Sequence, residues 1–120
     1  MQQKPYVLVI EDVLDIADIY AEILEMEGMS VEMILDGAMA LQRLETAVPD
    51  LIVLDMNLPH VSGLEILDFV RNQPHLKQTK VFVVTANPHM AQVAEGSADL
   101  TFIKPVSATE MGMLAKKLLS

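Results

Sequence analysis

Leu51-Ile52-Val53-Leu54-Asp55, followed by Met56-Asn57-Leu58-Pro59, is the stretch on which the fold of this chain turns. Four consecutive aliphatic residues, two of them β-branched, fit a strand covered on both faces. A strand with one wet face would alternate between apolar and polar residues instead. The run stops at a carboxylate, and Pro59 follows four residues later. A strand buried on both sides implies helices on both sides of a sheet, so the flanking sequence should alternate between apolar runs and amphipathic stretches.

It does so five times. Tyr6-Val7-Leu8-Val9-Ile10 and Val81-Phe82-Val83-Val84 are further near-continuous apolar runs. Val31-Glu32-Met33-Ile34-Leu35 and Leu100-Thr101-Phe102-Ile103 are partly polar, as suits strands nearer the sheet edges. Between the runs, Ile16, Ile19, Tyr20, Ile23 and Leu24 recur at helical spacing, with Gly28 as the stop. Asp36 is placed to cap a helix carrying Leu41 and Leu44. Ile66, Phe69 and Val70 mark a third helix, closed by Asn72-Gln73-Pro74. Asn87-Pro88 opens a short fourth, with Pro at its first position. Ser107-Ala108-Thr109-Glu110 has capping-box spacing ahead of Met111, Leu114 and Leu118. The pattern predicts an α/β fold of (βα)5 type, one doubly wound, five-stranded parallel sheet spanning residues 1–120 as a single domain.

Composition narrows the functional classes. Hydrophobic residues make up 52% and charged residues 21%, which is globular and not disordered. With no Trp and nine Met, the core must be aliphatic, with methionine filling its gaps. A formal net charge of -9 repels phosphate backbones and argues against direct nucleic-acid binding. The absence of Cys excludes disulfides and thiolate metal sites, and fits a cytoplasmic protein. The five-residue apolar run after Pro5 is too short for a signal peptide, and no segment reaches the length of a membrane span. His60, His75 and His89 fall in predicted loops without metal-ligand spacing and are read as solvated.

In doubly wound sheets, ligands bind outside the carboxyl ends of the strands. At those ends stand Glu11-Asp12 after the first strand, Asp55 after the third, Thr85 after the fourth, and Lys104 before Pro105 after the fifth. Any one of them could mark only the point where the chain leaves the core. Together they bring three carboxylates, a hydroxyl and an ammonium to one rim. Three crowded negative charges cost several kcal/mol unless a cation compensates. A hard, oxygen-liganded cation such as Mg²⁺ suits that set, with Mn²⁺ as a substitute.

These positions, with the strings VLVIEDV, LIVLDMNLPHVSGLEIL, VVTAN and FIKPV around them, resemble the receiver domains of two-component response regulators, the CheY-like family. The resemblance runs from about Tyr6 to Leu119 and implies a flavodoxin-like sheet with strand order 2-1-3-4-5. It further implies that Asp55 accepts a phosphoryl group from a phosphohistidine of a sensor histidine kinase or histidine phosphotransfer protein. Asp12 would ligate Mg²⁺ directly and Glu11 through water, with Asp55 and the backbone carbonyl of Asn57 completing the protein ligands. Lys104 and the Thr85 hydroxyl would hold phosphoryl oxygens. Asn57 and Asn87 would tune the lifetime of the phosphate. The chain would then be a binding switch and not an enzyme turning over an external substrate. Its downstream effector is left open, as are a homodimer and the question of whether it stands alone or was cut from a longer protein.

Two departures bear on output. The family usually carries an aromatic residue three positions before the lysine. Here that residue is Thr101, and Phe102 comes next, facing the opposite side of the strand. The segment from Thr85 to Lys104 is also about one helical turn short, which predicts a shortened fourth helix. Two other functions compete. A phosphatase of the haloacid-dehalogenase kind needs a second Asp where Asn57 stands. A degenerate receiver acting only as an interaction module usually lacks one of the acids or the lysine, and all are present here.

Overall fold

The computed structural model describes residues 3–120. Five strands, β1 (Tyr6–Ile10), β2 (Ser30–Ile34), β3 (Leu51–Asp55), β4 (Lys80–Thr85) and β5 (Leu100–Ile103), alternate with five helices. The helices are α1 (Leu14–Met26), α2 (Gly37–Leu44), α3 (Gly63–Asn72), α4 (Pro88–Ala94) and α5 (Ala108–Leu119). All strand pairs are parallel, in the order β2-β1-β3-β4-β5, so the two partly polar runs form the edges as expected.

Side-chain alternation divides the interior into two cores. Leu8, Ile10, Ile52, Leu54, Val81 and Val83 pack with the buried faces of α2, α3 and α4. Val7, Val9, Val53, Phe82 and Val84 pack with α1 and α5 on the other side. Every residue of β3 is therefore buried, which is why its sequence shows no alternation.

The helix boundaries follow local chemistry. Gly28 stops α1 in a left-handed conformation (φ 92°), and the Met29 N–H returns to the Leu24 carbonyl. Asp36 accepts from the Met39 N–H at 2.9 Å and caps α2. Asn87 accepts from the N–H groups of His89 and Met90 and caps α4, with Pro88 at its first position. At seven residues α4 is the shortest of the five helices, in line with the missing turn.

Three local expectations are revised. The face of α1 that reaches the sheet is Ala17, Tyr20, Ala21 and Leu24, while Ile19 is 52% exposed. Small Ala residues at helical spacing allow close approach to the strands and leave Ile16 and Ile19 at the border. Ile23 turns toward α5, where a Cβ on Gly112 would lie 2.6 Å from its Cγ2. The complete capping box belongs to Ser62 and Glu65 at the start of α3; Ser107 makes only the side-chain half of one. His89 lies in the first turn of α4, and the His75 ring nitrogen Nε2 lies 2.7 Å from the Leu44 carbonyl at the end of α2. That carbonyl has no helical partner, and the imidazole supplies one.

The loop from Asp55 to α3 is tightly folded. A Cβ on Gly63 would sit 2.4 Å from the Met56 Cα, a backbone contact that cannot yield. Gly63→Ala is expected to cost about 3 kcal/mol by overpacking, measured by urea denaturation. His60 holds φ 68°, a region in which an L side chain pays roughly 1–2 kcal/mol. His60→Gly should raise the unfolding free energy by about 1 kcal/mol in the same assay.

Candidate functional site

The strand register assembles the rim. Ile10 pairs with Leu54, so Glu11, one residue beyond β1, stands beside Asp55 at the end of β3. Asp55 pairs with Val84, and Thr85 with Ile103, which brings Thr85 and Lys104 to the same edge. The Lys104 N–H donates to the Thr85 carbonyl at 2.8 Å, extending the ladder past β5. The Lys104–Pro105 peptide is cis, and Pro105 is exposed.

Asp55 is 3% exposed and Glu11 1% exposed, whereas Asp12 lies at the surface. Carboxylate oxygens of Glu11, Asp12 and Asp55 all lie within 4.8 Å of one another. The Lys104 Nζ stands 3.5 Å from Asp55 Oδ1 and 3.7 Å from Glu11 Oε1. Backbone donors meet part of the remaining demand: the Asn57 N–H donates to Asp55 Oδ1 at 3.0 Å and the Val13 N–H to Glu11 Oε2 at 3.2 Å. Glu11 Oε1 is the one buried side-chain oxygen or nitrogen without a hydrogen-bond partner among the described residues. Burial, reinforced by Asp55 alongside, pushes the Glu11 carboxyl well above the ordinary carboxylate range.

Thr85 is 2% exposed, and its Oγ1 accepts from the Asn87 N–H at 3.1 Å. Thr85, Asn57 and Asn87 line a cleft of about 480 Å³ together with Met56, Pro88 and Met90. The structure thus gathers Glu11, Asp12, Asp55 and Lys104 in one cluster and sets Thr85, Asn57 and Asn87 along the adjoining cleft. Thr101 and Phe102 stay apart from it. Thr101 pairs with Val83 on the α4 side, while Phe102 pairs with Val84 on the α1 and α5 side. The Phe102 ring lies 5.3 Å from that of Phe82, centroid to centroid.

An acidic cluster with one unpartnered buried oxygen and a single neighbouring ammonium has the donor set of a hard divalent cation site. The family model for the response regulator receiver domain matches residues 7–116. The chain belongs to that family. It is 33% identical over 118 residues to the phosphate regulon transcriptional regulatory protein PhoB of Rhizobium meliloti, covering 96% of this chain and 52% of that protein. It is 38% identical over 108 residues to the response regulator protein PmrA of Pseudomonas aeruginosa, covering 88% and 48%. The chain spans about half the length of these relatives. A CheY-like receiver domain from Methylobacillus flagellatus superposes with a TM-score of 0.87 at 25% identity, covering 98% of this chain and all of that one. The receiver domain of a LuxO repressor protein from Vibrio parahaemolyticus gives 0.86 at 27%, covering 98% and 91%. Receiver domains are signalling modules and not classical enzymes. Among the described residues of this one, no helix is long and apolar enough to cross a membrane.

Sequence reasoning missed one residue of the neighbourhood. Tyr20, read only as part of an apolar helix face, is 6% exposed, and burial together with Glu11 and Asp55 pushes its hydroxyl up to about 12. Helical spacing alone does not reveal which rim a tyrosine faces.

Glu11 also sets a pH dependence. Because its folded-state pKa is raised, the native protein binds more protons than the unfolded chain above about pH 4.5, the ordinary value of a glutamate. Stability of the metal-free protein should therefore fall as pH rises from there through the raised Glu11 pKa. Adding Mg²⁺ should recover more melting temperature at the upper end of that window than at the lower. Thermal melts from pH 4.5 to 8.5, with Mg²⁺ and with chelator, check both trends.

Proposed function

We propose that this receiver domain is a phosphoacceptor switch in which Asp55 takes a phosphoryl group from a phosphohistidine of a histidine kinase or histidine phosphotransfer protein. The observation that carries the reading is the cluster itself: Asp55 buried at the rim, two more carboxylates within 4.8 Å, and the Lys104 ammonium 3.5 Å away.

A carboxylate oxygen of Asp55 attacks phosphorus while the phosphorus–nitrogen bond to imidazole breaks, and the proton needed by the departing imidazole comes from solvent. Asp55 Oδ1 is held by the Asn57 N–H and by Lys104, which leaves Oδ2 as the attacking atom. Glu11, Asp12, Asp55 and the Asn57 carbonyl are the groups that would hold Mg²⁺, and the ion when bound supplies positive charge to phosphoryl oxygens. The lone Glu11 Oε1 and the raised Glu11 pKa fit that occupant. Lys104 meets a second phosphoryl oxygen as a compact charge. The Thr85 hydroxyl, free to donate because it accepts from Asn87, meets a third. Asn57 and Asn87 border the cleft by which water reaches the phosphate and set its lifetime.

The relatives named above are regulators about twice this chain's length, so the modified domain would act on an effector segment or protein beyond these residues, in the cytoplasm. A haloacid-dehalogenase-type phosphatase is disfavoured by Asn57, which cannot transfer a proton where that chemistry needs an acid.

Incubation with acetyl phosphate and Mg²⁺ should add one phosphoryl mass to the intact chain. The gain should disappear in Asp55→Asn and with chelator, and Mn²⁺ should substitute for Mg²⁺. An unchanged mass of the wild-type chain with Mg²⁺ present overturns the reading.

A further inference from the structure

This inference rests on the phosphoacceptor reading and concerns the buried phenol to which that reading gives no task. Strand alternation, continued one residue past β1 and β5, puts Glu11, Asp55 and Lys104 in phase with Val9, Val53 and Phe102. Those three line the core between the sheet and α1 with α5, and Tyr20 belongs to that core. The acidic half of the site therefore lies on the α1 side of the sheet, whereas Thr85 continues the Val81–Val83 phase toward α4.

A groove of about 220 Å³ runs between α1 and the turn from β5 to α5, walled by Tyr20, Ile19, Lys104, Pro105 and Val106. Lys104 is thus shared by the groove and the carboxylate cluster. Its four-carbon stem is flexible and must be immobilised if the ammonium is to stay within 3.5 Å of Asp55. Pro105 lines the same groove beyond Lys104. On the α1 side Ile19 is half in solvent and Ile16 half-buried, and Tyr20 is the most deeply buried of the three walls. Burial and the neighbouring carboxylates keep its hydroxyl protonated, so it adds no charge that would compete with Lys104.

We propose that Tyr20 is a positioning residue for phosphoryl transfer, its ring walling the groove so that the Lys104 stem is held and the ammonium stays over Asp55. Phenyl should serve in place of phenol, and a branched aliphatic side chain should not.

The rate of acetyl phosphate labelling, followed by intact mass, is compared among wild type, Tyr20→Phe and Tyr20→Leu. Tyr20→Phe should stay within about twofold of wild type, and Tyr20→Leu should fall about tenfold, the scale of a misplaced catalytic group. In a Lys104→Ala background the Tyr20→Leu change should shrink below about twofold, because the ring is proposed to act only through the lysine. An equal loss in both backgrounds, as a purely structural role would give, overturns the proposal; so does Tyr20→Leu labelling at the wild-type rate.

A second arm does not depend on phosphorylation or on the folding of Tyr20→Leu. The chain has two Tyr and no Trp, and Tyr6 lies at the opposite end of β1, so Tyr6→Phe leaves Tyr20 as the sole emitter. Lys104→Ala in that chain should raise acrylamide quenching of Tyr20 about twofold, by uncovering the ring. Unchanged quenching overturns the contact whether or not the wild type is labelled. Absent labelling of the wild type counts instead against the phosphoacceptor reading.

Discussion

Electrostatic crowding at one rim of the sheet is the constraint around which the molecule is arranged. Asp55 and Glu11 are removed from water, Asp12 stands at the opening, and their oxygens approach within 4.8 Å. Two like charges 4 Å apart at an effective dielectric of 20 repel by about 4 kcal/mol, the same order as the whole stability of a small domain. One ammonium, that of Lys104, touches both buried carboxylates. It offsets part of the repulsion, and Glu11 answers the remainder by holding its proton to higher pH. The site is built under tension, and an arriving cation or a departing proton changes the energy of the entire rim.

That tension persists because the scaffold leaves the charges nowhere else to go. Asp55 ends a strand whose other residues are locked between two cores, and Glu11 directly follows a neighbour held in fixed register with it. Donors come from the loops that leave the same rim: the Asn57 N–H on Asp55, the Val13 N–H on Glu11, the Asn87 N–H on Thr85. Each is a backbone group two residues past its acceptor, so the turns that carry the chain away from the sheet also orient the side chains. Gly63 serves the same end by letting α3 start against the Met56 backbone.

The two faces of the sheet differ in what they hold near the rim. Toward α4 stand Thr85 and Thr101, beside a helix of seven residues. Toward α1 and α5 stand the acidic residues, Lys104, Tyr20 and the tilted pair of Phe82 with Phe102. Aromatic bulk therefore sits on the side of the charge cluster. On the α4 side the polar Thr101 stands where the strand could have carried a ring.

Much of this was legible in the residues. Near-continuous apolar runs ending in Glu11, Asp55 and Thr85, with a partly polar run ending in Lys104, determine a doubly wound parallel sheet and the rim at which these four side chains gather, because burial on both faces demands helices on both faces. The edge strands, the caps at Asp36 and Asn87 and the opposed faces of Thr101 and Phe102 follow from period and propensity, which are local. Other features depend on how elements meet. Only packing chose Ala17 and Ala21 over Ile16 and Ile19 for the buried face of α1, since close approach to the sheet rewards small side chains. Only strand register brought Glu11 Oε1 beside Asp55 without a hydrogen-bond donor. And only the docking of α1 against the β5–α5 turn put Tyr20 and Lys104 on one groove, because helical spacing says which residues share a face and not what that face will meet.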